Sequence, residues 1–207
     1  EMCGRDWSSD VCSSDLMAAA AKQNNLLLME AMWTRYLPHI QKVRELMHEL
    51  GEVLNVQADH GQSLMSIKRL TDPNYAGGAL LDLGIYPVSF TYLVFGRPEK
   101  ITAKSVIEND VDLQTSAIFE YAGGRQAVIN TVMNAKTPTA ASINGTKARL
   151  ELATSFYRPT DMRLVYNDGR IVDFKNEYRG HGLREQAIYF EKMLISGKKD
   201  SEIGRAH

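Results

Sequence analysis

The chain has 207 residues, with 24 Lys and Arg against 25 Asp and Glu, for a formal net charge of −1. That balance leaves no electrostatic footprint for nucleic acid, and two cysteines are too few for a disulfide-built scaffold. With 44% hydrophobic residues and no apolar run of membrane-spanning length, the composition fits a cytoplasmic protein of one large domain, or one domain plus part of another.

Both cysteines, Cys3 and Cys12, lie in EMCGRDWSSDVCSSDL, a Ser/Asp-rich segment with neither helical nor strand periodicity. It lacks the basic and apolar regions of a signal peptide. It resembles a translated sequencing adapter, and Glu202 to His207 resembles another frame of the same adapter. Residues 1–16 and 202–207 are therefore set outside the fold.

Ala18 to Asn25 reads as the end of a helix, with Lys22 near its C-terminus and Asn24-Asn25 as its stop. Leu26 to Met29 is a short apolar run that fits a strand buried on both faces. Thr34 is a candidate cap, and Pro38 suits a first helical turn. Ile40, Val43, Met47 and Leu50 follow at helical spacing, and Gly51 ends that helix. Val53 to Asp59 alternates as a strand does, with Leu54, Val56 and Ala58 on one face. Residues 61–78 read as a polar loop. Pro87 falls inside the apolar stretch that follows, so the expectation is a turn through Leu81 to Gly84 and a helix opening near Tyr86. Gly96 and Pro98 stop it.

The second half is strand-rich. Leu113 to Tyr121 alternates, Ala122-Gly123-Gly124 turns the chain, and Gln126 to Met133 alternates again. Asn144-Gly145 and Asn167-Asp168-Gly169 carry hairpin turn chemistry. Leu183, Ala187, Phe190 and Leu194 mark a closing helix stopped by Gly197. This order predicts an α+β fold with a largely antiparallel open sheet and helices on one face. The other face is left for solvent, another domain or a second subunit.

No P-loop, C-x-x-C, H-E-x-x-H or G-x-G-x-x-G pattern is present. His39, His48, His60 and His181 lack metal-ligand spacing, and His39 and His48 are expected on one solvated helix, so no metal is expected. Two clusters stand out. In Glu30 to Arg35, Trp33 could wall a pocket and Arg35 could pair with a phosphate or hydroxyl-bearing ligand. A domain-interface aromatic and a salt-bridge arginine explain the same residues. In Gly77 to Tyr86, Asp82 and Tyr86 are polar groups four residues apart in apolar surroundings, where a tyrosine can exchange a proton with a substrate hydroxyl. The glycines would let backbone approach a ligand. A capping Asp and a core tyrosine are the structural alternative.

MEAMWTRYLP (29–38) and GGALLDLGIYPV (77–88), with GTKARLEL and the closing helix, resemble the glucose–fructose oxidoreductase/inositol dehydrogenase (Gfo/Idh/MocA) family, in its dihydrodiol and NADP-dependent xylose dehydrogenase branch. The resemblance implies that 17–32 is the last helix and strand of a truncated Rossmann domain and 33–201 a substrate and dimerisation domain. It implies hydride transfer between a sugar or diol carbon and NADP or NAD. Tyr86 would be the proton donor and acceptor, Asp82 its catalytic partner, Trp33 a substrate-binding residue and Arg35 a cofactor-side residue. A homodimer through the open sheet face is expected, with no nucleic-acid or membrane partner. The family's glycine-rich turn and Glu-Lys-Pro motif would lie before Met17, so this polypeptide alone is expected to show neither turnover nor tight NADP binding. A non-catalytic binding or dimerisation module of the same fold is the alternative.

Overall fold

The computed structural model describes residues 13–197, so Cys3, Cys12 and residues 202–207 lie outside the described part. The chain forms two compact units. One joins the N-terminal part through Tyr36 with the part from Leu183 onward; the other is Leu37–Gly182.

In the first unit, helix α1 spans Ser13–Gln23, with Lys22 in its last turn. It thus takes in four residues that the sequence pattern places outside the fold. Asn25, at φ 53, ends it as expected. Leu26 to Met29 does not become a buried strand. Only Leu28 makes an isolated bridge, and Leu26 and Leu28 are 62% and 45% exposed. A strand needs a ladder on its flanks, and the described residues of this unit form none. Trp33–Tyr36 is a single 3-10 turn, so Thr34 lies inside it instead of capping the next helix. A later helix, Arg184–Ile195, packs Tyr189 against Tyr36 with ring centroids 4.6 Å apart. This is the closing helix, and Gly197 follows it at φ 69. Its apolar stripe is largely uncovered: Leu183 and Leu194 are 54% and 55% exposed.

The second unit is built on an eight-stranded sheet. Helix α2, Pro38–Leu46, starts at Pro38, with Leu37 as N-cap. Strand β1 (Val53–Gly61) follows, and helix α3 is Ile85–Phe95. The remaining strands are β2 (Lys100–Glu108), β3 (Val111–Glu120), β4 (Gln126–Val132), β5 (Ala141–Gly145), β6 (Ala148–Leu152), β7 (Met162–Tyr166) and β8 (Ile171–Phe174). Their order is β2-β3-β4-β1-β5-β6-β7-β8. Only the β1/β4 pair is parallel. The sheet is therefore largely antiparallel, as the alternating patterns predict. Sequence reading missed β2, which forms one edge of the sheet and is exposed along nearly its whole length.

Register puts the apolar residues on one face. Val56 pairs with Ala127 and Ile143, and Ala58 with Ile129 and Ala141. All are 5% exposed or less. Leu150, Leu152 and Leu164 continue the layer. Leu54 is the exception, at 45% exposed near the strand end. The opposite face carries Gln57, Ser116, Ile118 and Val128, all exposed.

One turn corrects the sequence reading. The β5/β6 connection is Thr146-Lys147, one step beyond Asn144-Gly145. Gly145 is required by space: a Cβ there would collide with the Leu50 carbonyl. By contrast, Gly169 at φ 90 does supply the positive φ expected of it. The segment Pro73–Phe95 is apolar and long enough for a membrane span (23 residues, mean hydropathy 1.4). Here the 3-10 turn Pro73–Tyr75 is separate from the helical run that ends in α3, and α3 lies against β1 and β4.

Candidate active site

Residues 80–84 do not form a simple turn. They make a π-helical turn, Leu80–Gly84, that runs directly into α3. Such turns concentrate at functional sites because a widened helix re-aims the side chains that follow. Asp82 sits within the turn and Tyr86 just after it, so the structure puts both predicted catalytic residues on one irregular segment.

The turn is fixed from several sides. Ala79 and Leu83 are buried with Leu70, Val111, Leu113 and Met133. The supposed polar loop 61–78 thus contributes Leu70 to a core. Asp112 Oδ2 accepts the Leu80 N–H at 2.9 Å and the Thr115 hydroxyl at 2.7 Å, satisfying a backbone donor at the helix start. The Thr131 hydroxyl donates to the Ala79 carbonyl at 3.1 Å. Gly78, at φ 120, has no room for a Cβ beside the Asp112 carboxylate. Gly77 likewise faces the Leu70 and Asp72 carbonyls. These glycines admit neighbouring protein groups, where sequence reading assigned them to ligand approach.

Asp82 is 28% exposed at its side chain and pairs with Arg69 Nη2 at 3.0 Å. Arg69 belongs to the 3-10 turn Lys68–Leu70, and no spacing rule connects it to Asp82.

Tyr86 is half-buried beside two rings. His60 lies edge-on with centroids 5.2 Å apart, and Tyr157 is tilted at 4.9 Å. His60 and Tyr157 stack on each other at 4.4 Å. The Gln62 amide donates to His60 Nε2 at 2.8 Å and to the Tyr157 hydroxyl at 3.4 Å. Burial holds the His60 pKa down at about 4, although the Leu83 carbonyl and the charges of Asp59 and Asp82 pull it up. His60 is therefore a neutral imidazole at ordinary pH. Tyr157 is delivered by a loop anchored on Phe156, which is fully buried and packs edge-on against Phe90 of α3 at 5.4 Å.

His60 had a legible signal: alternation from Val56 and Ala58 continues to it, and β1 runs two residues past the expected end. Tyr157 and Gln62 had none, because loops carry no periodicity. His39 is corrected. It is 8% exposed rather than solvated. Its Nε2 lies 2.9 Å from the Phe156 carbonyl, and burial lowers its pKa.

Trp33 and Arg35 share the 3-10 turn of the first unit. Trp33 is half-buried and Arg35 only 7% exposed. A cavity of about 460 Å³ in the second unit is lined by Pro38, Lys42, Phe174 and Tyr178 among others, and by none of the predicted site residues. Among the described residues, no group of three or more His, Cys, Asp or Glu could hold a metal ion.

Residues 40–151 match the model of the GFO/IDH/MocA C-terminal domain. The chain belongs to this family. It is 32% identical over 213 residues to trans-1,2-dihydrobenzene-1,2-diol dehydrogenase of Xenopus tropicalis, covering 98% of this chain and 64% of that protein. The Mus musculus enzyme of the same name is 34% identical over 217 residues, at 98% and 63% coverage. This chain thus spans a little under two thirds of their length. Among solved structures, KijD10, a 3-ketoreductase from Actinomadura kijaniata in complex with NADP and TDP-benzene, superimposes with a TM-score of 0.79 at 22% identity, covering 91% of this chain and 61% of its own. Aldose-aldose oxidoreductase from Caulobacter crescentus gives 0.76 at 21%, covering 88% and 58%. These likenesses establish the fold.

Proposed function

We propose that this chain supplies the substrate side of an NAD(P)-dependent oxidoreductase acting on a sugar or diol carbon in the cytoplasm. The observation that carries the reading is Tyr86, half-buried in the first turn of α3, directly after the π-helical turn, and walled by two rings. Its hydroxyl both donates and accepts, so it can pass a proton to or from a substrate oxygen. Asp82, one turn earlier and held by Arg69, orients that oxygen as an acceptor. Trp33 is the residue of the first unit that we assign to substrate binding. When bound, the nicotinamide supplies or takes the hydride. Arg35 is the one residue we assign to the cofactor side, and its near-complete burial leaves it little surface for direct contact. Tyr86 and Asp82 both act at the substrate oxygen, where one moves the proton and the other holds the geometry.

Tyr86→Phe in the full-length protein tests the reading. Turnover should fall about 100-fold or more, with cofactor affinity unchanged by fluorescence titration. Full turnover in that variant would remove Tyr86 from the mechanism.

We also propose that the uncovered sheet face pairs two copies of the chain. Ile118 and Val128, 40% and 38% exposed at its centre, support this, set among uncharged Ser116, Gln57 and Asn130.

A further inference from the structure

The irregularity of the Leu80–Gly84 turn has a physical counterpart in β1. Pro87 has no N–H. In a regular α-helix that N–H would bond the carbonyl four residues earlier, that of Leu83. The chain replaces the missing donor from another element. His60 Nδ1 lies 3.1 Å from the Leu83 oxygen. The Ile85 N–H also turns towards this oxygen, a short-range contact that ties the turn only to itself.

Because a carbonyl can only accept, the proton sits on His60 Nδ1, and Nε2 keeps its lone pair. The Gln62 amide, which donates, meets Nε2 at 2.8 Å. Both ring nitrogens are thus committed, and the ring is 1% exposed. This His has no nitrogen free for substrate. Instead it joins the sheet to the segment bearing Asp82 and Tyr86, and its ring edge meets Tyr86.

We propose that His60 is a positioning residue: its Nδ1–H bond to Leu83 sets the rotation of the π-helical turn and so aims the Tyr86 hydroxyl. Apolar packing of Ala79 and Leu83 fixes how deeply the turn sits, since such contacts are non-directional. Asp112 and Thr131 bond its first residues, Leu80 and Ala79. The His60 bond acts at the far end, three residues before Tyr86, where a rotation transfers directly to the hydroxyl. This inference rests on Tyr86 as the proton-transfer residue.

The test compares three substitutions in the full-length protein. Asn carries an amide N–H close to the place of Nδ1 and preserves the Leu83 bond; Gln reaches the place of Nε2 and does not; Ala removes both. His60→Ala and His60→Gln should lower kcat per folded molecule about 10- to 100-fold, as a displacement near 1 Å does, with KM within about threefold. His60→Asn should recover most of kcat. A loss that follows only the folded fraction, or equal loss in the Asn and Gln variants, overturns the proposal. A second measurement needs neither activity nor substitution. Long-range ¹H–¹⁵N correlation on the unsubstituted chain should show His60 protonated at Nδ1 and bare at Nε2 above pH 6, and the opposite tautomer overturns it. Tyr86→Phe, run alongside, separates the two claims. If it abolishes turnover while His60→Ala turns over normally, the positioning role alone fails. If it leaves turnover intact, the reading of Tyr86 fails, and the tautomer and the Asn/Gln contrast still decide whether His60 sets the turn.

Discussion

Acid should destabilise this chain through His60. In the fold the ring is 1% exposed and its pKa is about 4, against 6.5 for an ordinary histidine. Burial is the largest cause. The Leu83 carbonyl, then Asp59 and Asp82, act in the opposite direction without cancelling it. The sign follows from proton binding. Between about 4 and 6.5 the unfolded chain takes up the proton more readily, so stability falls as pH falls. Above 6.5 the contribution is constant, and below about 4 both states are protonated and the loss is complete. At about 1.4 kcal/mol per pH unit the full gap is worth about 3 kcal/mol, of which about 2.5 kcal/mol is lost by pH 4.5. That is a large part of a typical domain stability of about 5–15 kcal/mol. Urea unfolding from pH 7.5 to 4.5 on the wild type and on His60→Asn measures it. The wild type should lose about 2.5 kcal/mol more than the variant over that range. The variant keeps a smaller slope of the same sign, because burial also lowers the pKa of His39. Asp161 and Asp173, lowered by their hydrogen bonds to backbone and side-chain donors, lose their contribution as pH falls through the ordinary carboxylate value of 3.8 and below, so they add little above pH 4.5. Equal slopes in wild type and His60→Asn would refute the reasoning.

Other perturbations reach different parts of the frame. Asp112→Ala removes the acceptor for the Leu80 N–H and Thr115 hydroxyl; unfolding should become easier by about 1–2 kcal/mol, read as a lower urea midpoint at unchanged m. Gly145→Ala drives a methyl into the Leu50 carbonyl and should lose about 1–3 kcal/mol, whereas a substitution that mattered only for turn φ would spare the Leu50 contact in a crystal structure. Arg69→Ala removes an ion pair whose arginine is 63% exposed, so stability should move by less than about 1 kcal/mol while kcat/KM of the full-length protein drops several-fold. For the sheet face, light scattering should give a dimer that Val128→Lys converts to monomer; a monomeric wild type at high concentration contradicts the interface.

Much of this was legible in the chain itself. Strict alternation in Leu113–Tyr121 and Gln126–Met133 fixed two central strands, because a sheet with one covered face imposes period two. Turn residues at 122–124 and 167–169 fixed the reversals through positive φ, and Asp82 and Tyr86 stood out as polar groups in apolar surroundings. Leu26 to Met29 shows the limit. Its apolarity suits a buried strand, but burial is conferred by neighbours, and here Leu26 and Leu28 stay exposed. Lys100 to Glu108 shows the converse: its mixed pattern becomes a strand because β3 offers it a ladder.

The site divided along the same line. The local sequence determined that Pro87 would disturb the helix and that a polar tyrosine, Tyr86, would sit beside it in apolar surroundings. Tertiary structure alone decided what answers the disturbance. His60, Tyr157, Arg69 and Asp112 come from a strand, a loop, a 3-10 turn and a second strand. Their hydrogen bonds and ring contacts obey distance in space, and no periodicity along the chain encodes them.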